Sequence, residues 1–169
     1  KILKNFIKKD VKYQGIDYKD SNEVVGHNLE NGIPFDDKSF DIVFALDVLE
    51  HVENIHFLFD EIIRVSKDEA IIALPNMSYW KFRLRFLKGK DISKKYIFSS
   101  AQVLDRHRWI PSYNSAINFV SKNSAGNEIT IQKGFYQYQS KTLRLIDSYF
   151  SHKFPNLFTY VVFFHIKKK

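Results

Sequence analysis

Asp47, Glu50 and His51 stand at i, i+3 and i+4 in the run ALDVLEH, a spacing that gathers side chains on one face of a helix. Two carboxylates and an imidazole so placed suit two jobs: bracing the start of a helix, or holding a divalent metal ion. His107, in LDRHRW, is the candidate general base, because a neutral imidazole near pH 7 can take a proton from a hydroxyl or an amine. His51 is a second candidate for that role. Beside Arg106, Arg108 and Trp109, His107 has a structural reading of equal standing. Asp17 ends the short run VKYQGID. A carboxylate at a strand end accepts hydrogen bonds from ribose hydroxyls in dinucleotide-type folds; otherwise it caps a helix or sits in a solvated turn.

The segments that must position these residues alternate in character. Residues 1–9, KILKNFIKK, have apolar positions 2, 3, 6 and 7, the pattern of a helix end. Residues 11–17 and 24–29 read as short strands. Residues 40–46, FDIVFAL, are almost continuously apolar, as parallel strands covered on both faces are. Asn54 is placed to cap a helix whose apolar positions are Ile55, Leu58, Phe59, Ile62 and Val65. Residues 69–74, EAIIAL, read as another buried strand, closed by Pro75. Strand, helix, strand in repetition predicts an α/β fold with a doubly wound parallel sheet.

Residues 76–110 differ. Seven Lys or Arg fall between Lys81 and Lys95, interleaved with Trp80, Phe82, Phe86 and Tyr96. The pattern predicts an amphipathic helix over about 78–88, stopped by Gly89, then an irregular segment. An insertion after the carboxyl end of a strand lies over the ligand crevice in such folds, so 76–110 reads as a lid. Beyond it come a helix over 112–122, a strand over 128–136, a helix over 140–150 and a strand over 158–166. Neither an internal repeat nor a low-complexity linker divides the chain, so one domain is expected over 1–169.

The net charge of +7 is unevenly spread. Residues 17–61 hold 12 of the 19 acidic residues and only Lys19 and Lys38 as bases. The basic remainder attracts phosphates or nucleic acid, or simply keeps the surface solvated. With no cysteine there is no disulfide framework and no thiolate metal site. That fits a reducing cytoplasm, the expected location. No apolar run is long enough to span a membrane.

Residues 32–51, GIPFDDKSFDIVFALDVLEH, combine a polar turn, a buried strand and a helix start. They resemble the middle of class I S-adenosylmethionine (SAM)-dependent methyltransferases, where LPF, SFD, an apolar run and LEH recur in this order. The resemblance implies a Rossmann-like, doubly wound class I sheet with SAM as the cofactor. It assigns Asp17 to the ribose hydroxyls and packs Tyr18 against the adenine. It sets Asn28 and Leu29 at the adenine edge, with Asn28 where the family often has Asp; the amide oxygen still accepts a hydrogen bond, and an ordinary turn asparagine is the other reading. Ala45 and Leu46 face the methionine part of the cofactor, or else fill the core. Some quinone-pathway and small-RNA methyltransferases carry an acid-x-x-Glu-His run that holds a metal together with a later His. On that likeness Asp47, Glu50, His51 and His107 are the candidate ligands. The commoner role of LEH in the family is to brace the helix, so no metal is expected.

Pro75-Asn76-x(3)-Trp80-x(2)-Arg83-Leu84 resembles the methyltransferase-like family called methionine biosynthesis protein W. That family continues through a Tyr- and Thr-rich segment to a His, and residues 96–109 here depart from it, so the substrate does not carry over. The family also places a GxGxG-like loop before the ribose acid, and counting back from Asp17 runs past Lys1. The expectation is that the first strand of the sheet and its glycine loop lie upstream. The reading these features favour is a methyltransferase acting on a small-molecule or sugar-containing acceptor. A non-catalytic methyltransferase-like partner subunit and an RNA methyltransferase are the alternatives; nucleic acid is the less favoured partner.

Overall fold

The computed structural model describes residues 11–98, 100, 106–137 and 140–169. The expected helix end over 1–9 lies outside them. The strands are β1 (Gly15–Asp17), β2 (Val24–Gly26), β3 (Phe40–Leu46), β4 (Ser66–Pro75), β5 (Glu128–Gly134) and β6 (Val161–Lys167). The α-helices are α1 (Ile55–Val65), α2 (Trp80–Leu87), α3 (Tyr113–Asn123), α4 (Lys141–Lys153) and α5 (Pro155–Phe158). β1 and β2 form a parallel pair, and the other strands a sheet in the order β3-β4-β6-β5.

β3 and β4 are parallel, as the apolar runs predict, with Ala45 opposite Ile72. β6 is antiparallel to both β4 and β5. The sheet is therefore mixed: the β3–β4 pair is parallel as expected, and β6 adds antiparallel pairing within the same α/β architecture. Apolar periodicity reports which face of a strand is covered and is blind to strand direction.

One face of the sheet carries Ala45, Ala70, Ile72, Leu74, Val162, Phe164 and Ile166. α1 lays Leu58, Phe59, Ile62 and Val65 on it, each at most 2% exposed, and α3 adds Ala116 and Val120. Asn54 caps α1 as expected, its Oδ1 accepting from Phe57 N at 3.0 Å. Ser112 and Ser115 form a reciprocal capping box at α3. Along β3 the alternate residues Ile42, Phe44 and Leu46 remain 46%, 41% and 39% exposed on the opposite side.

The polar turn before β3 is organised by Arg64 of α1. Its guanidinium donates to Ile33 O, Phe35 O, Asp37 Oδ1 and both Glu61 oxygens, at 2.6–3.0 Å. Ile33 N donates back to Glu61 Oε2 at 2.8 Å. Gly32 starts the turn at φ +92°, and a Cβ there would lie 2.9 Å from Glu61 Oε2. The positive φ favours glycine, and any larger residue would also have to displace the Glu61 carboxylate.

At the end of β4, Asn76 is completely buried. Its Nδ2 donates to Thr159 O at 2.7 Å and Asn156 O at 3.0 Å, while its Oδ1 accepts from Ser78 N and Tyr113 N, both at 3.0 Å. One amide thus joins β4, the start of α3 and the lead-in to β6. The rest of the 75–84 motif also braces. Buried Tyr79 donates its hydroxyl to Asp147 Oδ2 of α4, Trp80 Nε1 donates to Asp147 Oδ1 at 3.2 Å, and Arg83 Nε donates to Ser78 O at 2.7 Å. α5 is a single extra turn that the apolar pattern of 158–166 does not reveal.

Candidate active site

Asp17 and Asn28 mark the carboxyl ends of β1 and β2. Asp17 is exposed and its Oδ1 accepts from Tyr18 N at 2.7 Å; Tyr18 is 58% exposed. Asn28 caps a 3-10 turn, Leu29–Asn31, through Oδ1 and Glu30 N at 3.0 Å. The turn role considered for this asparagine is therefore present. Ala45 is 5% exposed and packs in the core, whereas Leu46 beside it is exposed.

Glu30 ties the β2 end to the segment after β3. Its Oε1 accepts from Glu53 N at 2.8 Å, and Arg108 lies 3.8 Å from it while bonding Glu53 Oε2 at 2.8 Å. Residues 106–109 run along 50–53 as a second strap. Arg108 N donates to Glu50 O at 2.8 Å, Arg108 Nε to His51 O at 3.0 Å and Trp109 Nε1 to Val52 O at 2.8 Å.

This strap brings His107 to Glu50 and His51. His107 Nε2 lies 3.8 Å and His51 Nε2 4.0 Å from Glu50 Oε1. The two rings meet edge to face at 4.6 Å between centroids. Glu50 is 2% exposed. His51 Nδ1 is 3.1 Å from Arg106 O, and His107 Nδ1 is 3.0 Å from Tyr96 Oη, which donates to Trp109 O at 2.5 Å. Burial, then the Glu50 charge, pushes the Tyr96 phenol up, so it keeps its proton.

Asp47 does not share one helical face with Glu50 and His51. The expected helix start is only a 3-10 turn, Leu49–His51, and Asp47 precedes it in left-handed backbone at φ +53°. The helical spacing argument fails because the chain must first turn out of β3. Burial raises the Asp47 carboxyl, opposed by His51 and Lys95. Among the described residues, the group whose ligand atoms converge is Glu50, His51 and His107, without Asp47. Tyr96 and Arg108 were not anticipated as site residues, since a Tyr in an aromatic run and an Arg in RHRW have no spacing that marks them.

The lid expected over 76–110 contains α2 and an open cleft of about 420 Å³. Met77, Phe82, Phe86, Ile92 and Ile110 line it together with Arg83. Several of its cations work internally. Arg85 Nε donates to Asp91 O at 3.1 Å, and Lys81 Nζ stands 4.1 Å over the Tyr136 ring.

Residues 4–74 match the family model described as a methyltransferase domain. A 62-residue stretch is 39% identical to the bifunctional methionine biosynthesis protein MetXA/MetW of Rhodopirellula baltica, covering 36% of this chain and 10% of that protein. The fold is similar to a SAM-dependent methyltransferase from Archaeoglobus fulgidus, with TM-score 0.56 and 14% identity over 99% of this chain and 80% of that one. It is also similar to a SAM-dependent methyltransferase from Thermotoga maritima, with TM-score 0.54 and 16% identity over 86% of this chain and 64% of the other. The chain thus spans a tenth of the Rhodopirellula protein and under two thirds of the Thermotoga one. The matched segment, residues 4–74, is thus similar to a methyltransferase domain, and the fold is that of SAM-dependent methyltransferases.

Proposed function

We propose that this chain binds SAM at the carboxyl ends of β1, β2 and β3 and transfers its methyl group to a small-molecule acceptor under the 76–110 lid. The family match over residues 4–74 carries the reading, because it spans the segment holding Asp17, Asn28 and Leu46. Asp17 is the ribose acceptor, exposed at a strand end where a carboxylate meets vicinal hydroxyls. The Asn28 oxygen, spent partly on Glu30 N, has a second lone pair for the adenine amino group. Ala45 and Leu46 bring backbone to the methionine part, and Tyr18 offers its ring to the adenine.

Methyl transfer is an in-line displacement in which positioning supplies much of the rate. The apolar cleft beside α2 supports an acceptor with an apolar body, ahead of a sugar-containing one, with Arg83 at its edge. Calorimetric titration of S-adenosylhomocysteine tests the cofactor reading. Micromolar binding is expected, weakened by about 10-fold or more in Asp17→Ala, since hydrogen bonds to a charged acceptor contribute about 1.5–3 kcal/mol. Absence of binding, or full affinity in the variant, refutes it.

A further inference from the structure

α2 is a helix without a buried residue, and every residue from Arg83 to Asp91 is exposed. Its sequence, WKFRLRFL, mixes large apolar side chains with cations. Lys81, Arg85 and Lys88 recur at i, i+4 and i+7, which makes one basic stripe. Phe82, Phe86 and Leu87 turn the other way and line the cleft that Met77, Ile92 and Ile110 complete. The rim of that cleft is apolar yet faces water: Phe86 is 66% exposed, Leu87 81% and Ile110 60%. Large apolar side chains gathered in water mark a surface that meets a partner. Cations surround them. From Lys81 to Lys95, seven Lys or Arg stand against one acid, Asp91. Lys88 and Lys90, which follow Leu87, make no ion pair among the described residues.

We infer that this rim docks on an anionic lipid bilayer. Phe86, Leu87 and Ile110 enter the headgroup layer, while Lys88, Lys90 and the terminal nitrogens of Arg85 meet lipid phosphates. A helix that is aromatic and aliphatic on one side and basic on the other lies in the plane of such an interface. Among the described residues no helix is long and apolar enough to cross a membrane, and docking in the interface needs none. Charge and side-chain type together select this occupant. An RNA strand satisfies the cations and stacks on rings, but it leaves Leu87 and Ile110 in water, where a bilayer takes both. A second copy of the chain would set two cationic faces against each other. With the rim docked, the cleft opens toward lipid, and an acceptor with an apolar body enters it from the bilayer without crossing water. That last step rests on the methyl-transfer reading; the docking does not.

The test sediments the purified protein with vesicles of mixed phosphatidylglycerol and phosphatidylcholine, and with vesicles of phosphatidylcholine alone. Binding to the anionic vesicles only is expected, weakening as salt rises. Lys88→Gln/Lys90→Gln lowers the partition by about 10–30-fold, since each cation near an anionic surface contributes about fivefold. Phe86→Ser/Leu87→Ser lowers it by about 10-fold or more through lost apolar insertion. Lys122→Gln/Lys169→Gln, which removes equal charge from α3 and the end of the chain, changes it by less than about 3-fold. All six positions are exposed, and circular dichroism checks that each variant is folded. No binding to the anionic vesicles overturns the inference. So does binding that Phe86→Ser/Leu87→Ser leaves intact, which marks plain attraction of a basic protein to charge. Binding of a single-stranded RNA oligonucleotide, read by fluorescence anisotropy, in the absence of vesicle binding also overturns it and assigns the cations to nucleic acid. Titration of S-adenosylhomocysteine into the same proteins reads the cofactor site separately: vesicle binding without cofactor binding leaves the docking surface standing and removes the methyl-transfer reading.

Discussion

Replacing Asn76 by alanine removes four side-chain hydrogen bonds at one fully buried point. Tyr113 N keeps a second acceptor, Asn156 Oδ1 at 3.1 Å, and so loses least. Thr159 O, Asn156 O and Ser78 N each lose the partner Asn76 supplied. A buried polar group left unmatched costs about 1–3 kcal/mol, so three of them, some reached by water, come to about 3–6 kcal/mol. In a chain of this size each kcal/mol lowers Tm by about 2–4 °C, giving an expected loss of about 6–24 °C. Thermal unfolding followed by circular dichroism measures it. Amide exchange adds a local readout, because the Ser78 amide should exchange faster in the variant while amides in the middle of α1 change only with global stability. A Tm loss below about 3 °C would show that the amide is not the joint described.

Other expectations rest on single contacts. Glu61 sits below the ordinary carboxylate range, chiefly through its hydrogen bonds from Arg64, against some burial, with Ile33 N adding to the effect. Its contribution is therefore fully present above the usual glutamate value and fades as pH falls through the depressed one; Glu61→Gln should flatten that acid limb in urea titrations at stepped pH. Gly134→Ala would put a Cβ 2.4 Å from Val161 Cγ1 and 2.8 Å from Phe163, at the joint of β5 and β6. It should cost about 1–3 kcal/mol in chemical denaturation, and an unchanged midpoint contradicts the packing. Tyr79→Phe takes a hydroxyl from buried Asp147 and should cost about 1–3 kcal/mol in the same assay, with near-neutral behaviour as the disproof.

The sequence made β3 and α1 legible because each obeys one rule throughout. FDIVFAL is apolar enough for a buried strand, and Asn54 with apolar steps of three and four defines a capped helix. β3 matches its expected limits residue for residue, while β4 begins three residues earlier than expected, since Ser66 leaves α1 directly as strand. Strand direction at β6 was hidden, because VVFFHIK alternates identically in either sense. At the site, only the family resemblance groups His107 with Asp47, Glu50 and His51, and the structure brings it to Glu50 and His51. Asp47 was grouped with them on the assumption of helical geometry from Asp47 onward, and the left-handed backbone there cancels it. Tyr96, which bonds His107 Nδ1, has no sequence signal, because that contact exists only once the strap of 106–109 is laid down.

The placement of β6 between β4 and β5 imposes an order on synthesis. β5 is complete at Gly134, yet its strand partner is β6, Val161–Lys167. While the chain emerges from the ribosome, β4 can pair with β3 early, but its other edge and all of β5 wait for the last strand. During that interval one edge of β4 and both edges of β5 stand without the strand that later joins them, and exposed edges of this kind are where a growing chain is open to wrong pairing.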